Sequence, residues 1–211
     1  MNTPVAFDGA QWTVCSDATT VTNAVETLRA YSHIAFDCEG HSLGESEGYL
    51  SIISLCAIQS TETEPIHVFL IDTLALDSET IRPVFDLLRS DEHTKVIFDG
   101  RKDWSELYHR YSVRLTRVLD LQLADIESRA KRGEGLQEQL NRLSPFCPRN
   151  EVQSQPKLFR MIHRLNGLEL CAKEHNLVQH FDNVKPSESI IHHQLLSLEV
   201  CLRSCIRILL P

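Results

Sequence analysis

Apolar and polar positions along the chain follow two different periods, and each period predicts a different kind of element. Short apolar runs at 33–39, 50–58 and 66–72 are typical of strands, and short polar links join them. We therefore predict an antiparallel meander over this stretch, with a turn at 44–48. Upstream, the pattern predicts a strand at 11–15 and an amphipathic helix whose apolar face is Val21, Ala24, Val25 and Leu28.

From residue 78 onwards, strand and helix patterns alternate. This alternation predicts an α/β architecture with parallel strand pairing in this half of the chain. The predicted elements are a helix from 78, a strand at 95–98, a helix at 102–110, a strand at 117–121 and a helix at 121–131. The stretch 133–156 predicts a loop or lid with a short helix near 136–143. Pro156 then stands where a helix can begin, and apolar residues follow at helical spacing as far as Ala172.

The composition is that of an ordinary globular protein and narrows the function only slightly. The chain has 211 residues, of which 42% are hydrophobic, and its net charge is −8. We expect one domain over 1–211, with no overall electrostatic attraction for nucleic acid. The seven cysteines form no C-x-x-C pair, so we expect free thiols in a reducing, intracellular compartment, the nucleus or the cytoplasm. Charges interrupt the apolar stretch 195–210, so no membrane span is predicted.

Two carboxylates stand at the end of the first predicted strand of the meander. Asp37 and Glu39 are two residues apart, so in a strand both side chains point to the same face. Two like charges held this close need a compensating cation, and carboxylate oxygens suit Mg²⁺ or Mn²⁺. This pattern indicates a candidate metal site, although a single D-x-E also occurs by chance.

A third acid follows the buried strand predicted at 95–98. A turn at Asp99-Gly100 leads into the next helix, and Asp103 lies in its first turn. Because sites in α/β sheets form at the carboxyl ends of strands, Asp103 is placed to converge with Asp37 and Glu39. The alternative is that Asp103 is an ordinary first-turn acid favoured by the helix dipole. Asp99 is interpreted as a turn residue.

Several segments together carry a resemblance to a known family. They are Ile34-Ala35-Phe36-Asp37-Cys38-Glu39-Gly40, Leu50-Ser51-Ile52-Ile53-Ser54-Leu55, Val68-Phe69-Leu70-Ile71-Asp72, Lys95-Val96-Ile97 with Asp103, Leu119-Asp120-Leu121-Gln122-Leu123-Ala124-Asp125 and Asn166-Gly167-Leu168-Glu169. In their order and spacing, the chain resembles the 3′–5′ exonucleases of the DEDD superfamily, in the ribonuclease D and Werner exonuclease branch. The resemblance extends from about residue 12 to about residue 194.

The resemblance implies an α/β fold with a ribonuclease H-like mixed sheet, an antiparallel meander plus parallel strands, flanked by helices. It also implies a 3′–5′ exonuclease that hydrolyses phosphodiester bonds at the 3′ end of a single strand, RNA or DNA, with two Mg²⁺ or Mn²⁺ ions. By this resemblance Asp37 bridges both ions, Glu39 binds one and helps orient the water, and Asp103 holds the second. Asp120 and Asp125 are expected to support the fold, as helix-capping and surface acids.

Basic residues near the expected cleft are candidates for contact with nucleic acid. They are Arg101, Lys102, Arg129, Lys131 and Arg132. Of these, Arg101 and Lys102 are the residues that we predict to bind nucleic acid. Scattered solvated charges explain the set almost as well.

The last part of the family pattern is missing. The family has a fourth Asp on its last helix, with a Tyr four residues or a His five residues before it, whereas the last Tyr here is Tyr111 and the last Asp is Asp182. One explanation is that 195–200 is a diverged motif in which Glu199 replaces the Asp as a metal ligand. The other is that the homologous chain ends near 192–194 and 195–211 is an unrelated, atypical segment. We favour the second, because the Trp or Arg-Pro-Leu-Pro stretch that normally precedes the motif does not occur.

Two hypotheses of function follow from these observations. The first is a metal-dependent 3′–5′ exonuclease whose activity is reduced by the loss of the last motif. The second is a catalytically inactive nucleic-acid-binding or adaptor domain with the same fold. Both predict contact with nucleic acid, but only the first predicts that Asp37 is required for strand shortening.

Overall fold

The computed structural model describes residues 5–7, 10–58 and 66–176. In these ranges seven strands form one sheet, in the order β1-β2-β5-β4-β3-β6-β7. The strands are β1 (Val5–Phe7), β2 (Ala10–Cys15), β3 (His33–His41), β4 (Tyr49–Ala57), β5 (Ile66–Asp72), β6 (Thr94–Ile97) and β7 (Val118–Asp120). The mixed sheet with flanking helices confirms the predicted fold class.

Strand directions divide the sheet into the two halves that the sequence pattern predicts. β4 pairs antiparallel with both β3 and β5, which confirms the meander. β6 runs parallel to β3, and β7 runs parallel to β6, because a helix crosses over between them. At the other edge β2 runs parallel to β5, and β1 lies antiparallel on β2. The sequence pattern did not predict the three-residue strand β1.

The helices connect and cover these strands. They are α1 (Ala18–Arg29), α2 (Arg82–Arg89), α3 (Arg101–Tyr111), α4 (Leu121–Lys131), α5 (Leu136–Leu143), α6 (Arg149–Ser154), α7 (Pro156–Phe159) and α8 (Leu168–Glu174). The apolar face predicted for α1 is the face that the helix buries, and Asp17 caps its first turn through the N–H of Thr20. Helix α4 and helix α5 have the bounds that were predicted.

Two layers of apolar side chains cover the two faces of the sheet. Phe36 packs with Leu88 of α2 and Leu107 of α3 in the larger cluster, whereas Ala35 packs with Leu121 of α4 in the smaller one. Successive residues of a strand point to opposite faces, so β3 is covered on both sides. Each fully buried Leu or Phe contributes about 1.5–3 kcal/mol to folding. The first half of β3 is therefore held rigidly in the middle of the domain.

The helix predicted from Pro156 to Ala172 is wrong. Helix α7 ends at Phe159 and α8 begins only at Leu168, after Gly167 in an extended conformation. Residues 160–167 are not helical, and Gly167, a poor helix former, is the residue from which the second helix starts. As a result Leu158 and Met161, which were predicted to lie on one apolar helix face, are exposed.

The remaining predictions concern the cysteines, the membrane and the end of the chain. Cys15, Cys38, Cys56 and Cys171 are buried, Cys147 is partly exposed, and none of these five described cysteines forms a disulfide. None of the helices in the described part of the chain has the length and apolar composition needed to cross a bilayer. Glu199 and the segment 195–211 lie outside the described residues, so both explanations for the last motif, and the single domain over 1–211, stay predictions.

Candidate metal centre

The candidate site forms where β3 loses its neighbour β6. The two strands pair only from His33 to Ala35 on the β3 side, and β6 ends at Ile97. The chain then turns through Asp99, whose φ of 55° is left-handed, and Gly100 into helix α3. The interpretation of Asp99 as a turn residue is confirmed. The edge of β3 beyond Ala35 is therefore left without a strand partner on this side, directly beside the first turn of α3.

Asp103 satisfies this open edge of the strand. Its Oδ1 accepts a hydrogen bond of 2.8 Å from the backbone N–H of Cys38, and its side chain is buried, with 6% of its surface exposed. Cys38 lies between Asp37 and Glu39, so this one bond brings the carboxyl of Asp103 to both of them. The structure thus brings together the three acids that the sequence analysis singled out.

Backbone irregularity directs the end of β3. The register with β4 shifts between Glu39 and Gly40, which marks a β-bulge. A Cβ on Gly40 would lie 2.1 Å from the carbonyl oxygen of Tyr49, so only glycine allows this close approach. Bulges bend a strand and re-aim its side chains, and they are common beside functional sites. Here the bulge directly follows the second carboxylate.

The three carboxylates have raised pKa values for the same physical reasons. Burial raises the pKa of Asp37 to about 7, and the charges of Asp103 and Glu39 add to the effect. Burial and then the charge of Asp103 raise the pKa of Glu39. Burial also raises the pKa of Asp103, although the N–H of Cys38 opposes this change. The cluster therefore holds negative charge at a free-energy cost.

The residues present fit a divalent cation. Within the described ranges, no ion pair includes Asp37, Glu39 or Asp103, so their repulsion has no compensating side chain. Carboxylate oxygens are the ligands that Mg²⁺ and Mn²⁺ prefer, and a bound cation reverses the pKa shifts of its ligands. The donor atoms and the unbalanced charge both favour a metal at this position.

A buried acid that sequence reasoning missed connects the site to the loop after β3. Glu106 Oε2 accepts a hydrogen bond of 2.9 Å from the N–H of Gly44, and Oε1 pairs with Arg110 Nε at 2.8 Å. Gly44 has a φ of 77°, which explains the glycine at this turn. The spacing of Glu106 three residues after Asp103 places both on one face of α3 and is the signal that could have identified it.

Asp120 supports the turn beside the site rather than the site itself. Its Oδ1 caps α4 by accepting from the N–H of Gln122 at 2.9 Å. The same carboxylate accepts from the N–H groups of Asp99 and Gly100, at 3.2 and 3.3 Å. It therefore fixes the turn that leads to Asp103, and the prediction of a helix-capping role is confirmed.

The two strongest candidates for nucleic-acid contact are both exposed. Arg101 and Lys102 begin α3, and Arg101 pairs with Asp99, with its Nε at 2.5 Å from Oδ1. This surface pair leaves most of the Arg101 side chain in solvent. Both side chains are therefore accessible for the predicted contact with nucleic acid.

Asp125 lies in a different environment, and its prediction as a surface acid is wrong. Only 1% of its surface is exposed, because α4 packs against α8. Oδ2 accepts from Arg129 Nη2 at 2.6 Å, and Oδ1 lies 3.1 Å from His175 Nε2 and 3.3 Å from Arg132 Nη2. The expectation that Arg129 contacts nucleic acid is also wrong, because its charge is buried against Asp125.

The pKa values of this second cluster shift in the opposite direction. Burial opposes ionisation of Asp125, but hydrogen bonds from His175 and Arg129 lower its pKa to about 2. The Asp125 carboxylate, and then Cys171, raise the pKa of His175 to about 9. Asp125, Cys171 and His175 could offer three metal ligands by distance alone. The arginines already neutralise the carboxylate, so the cluster is a structural charge network.

Comparison with known proteins places this geometry in a family. The family model described as 3′-5′ exonuclease matches residues 13–146, which include Asp37, Glu39 and Asp103. No curated protein matches the chain significantly. Membership of this family implies dependence on a divalent metal.

Solved structures of low sequence identity share the fold. The Trypanosoma brucei RNase D complex with RNA U12 has a TM-score of 0.60 at 19% identity, over 94% of this chain and 62% of that one. Escherichia coli RNase D gives 0.54 at 15% identity, over 93% and 43%. The Aedes aegypti Nibbler EXO domain gives 0.54 at 16% identity, over 99% and 91%. The chain thus spans less than two thirds of both RNase D chains. By the match of the family model to most of its length, it belongs to the 3′–5′ exonuclease family.

Proposed function

We propose that this chain removes nucleotides from the 3′ end of a single-stranded nucleic acid by a two-metal mechanism. The single observation that carries the proposal is the hydrogen bond from the N–H of Cys38 to Asp103, because it holds the Asp103 carboxyl beside the strand segment that carries Asp37 and Glu39. The buried carboxylate of Asp125 pairs with arginine, and that of Asp120 caps a helix. Among the described residues, Asp37, Glu39 and Asp103 form no ion pair, and the hydrogen bonds that stabilise Asp37 and Asp103 come from the backbone and from Cys38.

Each carboxylate has a role that follows from its position. Asp37 is coupled electrostatically to the other two acids, since both of them raise its pKa, and it would be the ligand common to two Mg²⁺ or Mn²⁺ ions. Glu39, which is partly exposed, would hold one ion. Asp103, fixed by its hydrogen bond to the strand, would hold the other.

When bound, two such ions stabilise both the attacking hydroxide and the leaving 3′-oxygen of an in-line displacement. The chain itself supplies alignment. The Cys38 N–H occupies one lone pair of Asp103 and leaves its other oxygen for a cation. The bulge at Glu39–Gly40 and the tie between Gly44 and Glu106 fix the strand end and the loop beside it. Groups that are already held in position lower the entropic part of the activation free energy of hydrolysis.

In the family, a fourth carboxylate and the water-activating residue come from the last motif. The favoured explanation of the segment 195–211 leaves this chain without both, and the other explanation offers Glu199 as a ligand with no Tyr beside it. Loss of one positioned general base costs about 10²–10⁴-fold in rate. We therefore expect slow turnover, and Mn²⁺ as the more effective ion because it tolerates an irregular ligand set.

The substrate class is supported by a related fold with a bound strand. The T. brucei RNase D structure contains RNA U12. The candidate site lies at the ends of β3 and β6, inside the sheet, where the end of one nucleic-acid strand would enter. The net charge of −8 gives no overall attraction for nucleic acid, so binding would depend on the local groups at this site. RNA and DNA are both candidates, and the experiment below compares them.

The test is stepwise shortening of a strand labelled at its 5′ end. Wild type and Asp37→Ala are incubated with single-stranded RNA or DNA and 1–10 mM Mn²⁺, about the range used to saturate weak sites. A ladder from the 3′ end that Asp37→Ala loses by at least about 100-fold supports the proposal. Asp125→Asn is unsuitable as a control because it disturbs the fold, so Asp86→Ala, an exposed surface acid, is the matched control.

The second candidate function is an inactive nucleic-acid-binding domain. The missing Tyr-x-x-x-Asp pattern favours it. Strand binding by wild type and Asp37→Ala alike, with no shortening by either protein, would establish this second function and exclude the first.

A further inference from the structure

The outer face of helix α3 carries two aromatic rings that pack on each other instead of on the core. Trp104 and Tyr108 stack with their ring centroids 4.9 Å apart and their planes 8° from parallel. They remain 44% and 43% exposed. Residues four apart lie on the same face of a helix, so the pair forms a continuous apolar surface about one turn long.

This exposed stack is not required by the packing of the helix. The inner face of α3 is complete without it, since Asp103, Glu106 and Leu107 are the buried residues of the helix. An exposed aromatic pair gains little from burial, and a polar residue at both positions would serve the surface as well. The stack therefore needs an explanation outside the folding of the domain.

A third ring and a cavity extend the surface. His109 meets both rings edge-on, at 6.0 Å from Trp104 and 5.1 Å from Tyr108. The same histidine, with Ser105 and Arg110, lines a cavity of about 460 Å³ between α3 and the loop after β3. Of the three rings, His109 is the one that lines this cavity, and it links the cavity to the stack of Trp104 and Tyr108.

The position of the stack relates it to the candidate metal centre through the first turn of α3. Asp103 lies on the buried inner face of that turn, and Trp104 lies on the exposed outer face. The exposed cation Arg101 precedes Trp104 by three residues and so lies on the outer face with the stack, and Lys102 is exposed beside it. The start of α3 therefore carries a carboxylate of the centre on one face, and cations with an aromatic stack towards the solvent. Phosphate groups, a metal-bound end and unstacked bases are the three parts of a single strand that these groups would contact.

We propose that Trp104 and Tyr108 form a stacking platform for the bases of the single strand whose 3′ end lies at the carboxylates. This inference rests on the proposed function and names the subsite that holds the nucleotides upstream of the scissile bond. Every base has a π face, so stacking binds a strand without regard to its sequence. Glu45 and Glu106 also line the cavity, which favours base contacts over phosphate contacts there.

The chain offers a direct optical reporter of this contact. It contains two tryptophans, Trp12 and Trp104. In a Trp12→Phe variant, Trp104 is the sole source of tryptophan fluorescence. We expect a saturating single-stranded 12-mer, added in EDTA so that no shortening occurs, to quench this emission strongly, because a stacked base quenches the indole. A 12-mer of the same length with abasic sites throughout keeps the phosphates and removes the stacking.

Affinity measurements make the same comparison without fluorescence from the protein. Stacking of one base is worth about 1–3 kcal/mol, so Trp104→Ala is expected to weaken binding of a labelled 12-mer at least about fivefold. Trp104→Phe keeps a ring and is expected to restore most of the affinity. Phe146→Ala is the matched control, because Phe146 is also an exposed aromatic, 65% exposed, in the loop after α5.

Several outcomes would overturn the proposal. They are equal binding by Trp104→Ala and wild type, equal binding of the abasic and normal 12-mers, unquenched Trp104 at saturation, and no binding of any strand by wild type. The two proposals can fail separately, because shortening is measured through Asp37→Ala in Mn²⁺ and stacking is measured through Trp104 in EDTA. A protein that binds by stacking but never shortens a strand loses the nuclease proposal and keeps this one.

Discussion

Asp103 and Asp125 are both buried acids on helices that follow parallel strands, yet their surroundings are opposite. Asp103 meets two other carboxylates and one backbone N–H, and its pKa is raised. Asp125 meets two arginines and a histidine, and its pKa is lowered to about 2. A buried charge is tolerated only when it is paired. Side chains of the protein provide the cations that pair with Asp125. The cation that would pair with Asp103 has to be a bound ion.

The difference separates a structural cluster from a functional one. The carboxylate of Asp125 is already paired with cationic side chains, so it gains nothing from a metal. The repulsive cluster of Asp37, Glu39 and Asp103 gains both charge balance and ligation from one. Perturbed pKa values mark both clusters, so perturbation alone does not identify the functional one. The direction of the pKa shift distinguishes these two clusters, because it is upward for Asp103 and downward for Asp125. The following predictions test this contrast, from the largest expected effect to the smallest.

Breaking the charge network around Asp125 should strongly lower the free energy of unfolding of the protein. Arg129→Met leaves the buried Asp125 carboxylate without its shortest partner, at 2.6 Å. Removal of one member of a buried pair costs about 3–5 kcal/mol, and urea denaturation measures it. Arg101→Met is the matched control, because its pair with Asp99 lies in solvent and is expected to contribute little to stability. A loss below about 1 kcal/mol for Arg129→Met would contradict the structural role.

Adding a divalent cation should stabilise the repulsive cluster. At 100 times its Kd, Mn²⁺ is expected to raise the free energy of unfolding of wild type by about 2.7 kcal/mol. Asp103→Asn removes a ligand and should abolish most of the increase. Thermal melts with Mn²⁺ and with EDTA provide the measurement. Equal stabilisation of both proteins would show that the ion binds elsewhere.

Removing a charge from the repulsive cluster should stabilise the metal-free protein at high pH. The folded pKa of Asp37 is about 7, above its ordinary value of 3.8, so ionisation on unfolding is favoured and stability falls as the pH rises towards 7. Asp37→Asn in EDTA should therefore be more stable than wild type by about 1–2 kcal/mol at pH 8, and equal to it near pH 4. Urea denaturation at both pH values decides this, and a destabilised variant at pH 8 would be the contrary result.

Protonation of His175, which pairs with Asp125, should contribute a smaller, pH-dependent increase to the free energy of unfolding. The folded pKa of about 9 exceeds the ordinary value of 6.5, so the contribution is complete below pH 6.5 and disappears as the pH rises to 9. We expect wild type to lose about 1 kcal/mol over this range relative to His175→Asn. The exposed His163→Asn should follow wild type. Parallel pH profiles for wild type and His175→Asn would exclude the pairing with Asp125.

Local patterns predicted much of the fold and part of the site. The bounds of α4 and α5, and the common face of Asp37 and Glu39, follow from periodicity within one element. The burial of Asp125 could not be predicted in the same way, because it depends on the packing of α8 against α4. The bond from Cys38 to Asp103 joins residues 65 positions apart and depends on where β6 stops. The segment 160–167 shows the converse, since apolar residues at helical spacing predicted one continuous helix where the chain forms two short ones.

The most direct test of the contrast is Mn²⁺ binding to three proteins, followed by the loss of the free-ion EPR signal. We predict that wild type and His175→Asn bind Mn²⁺ with the same affinity, and that Asp37→Ala binds it at least about tenfold more weakly. Unchanged binding by Asp37→Ala, or loss of binding in His175→Asn, would contradict the account and assign the metal to the cluster of Asp125, Cys171 and His175.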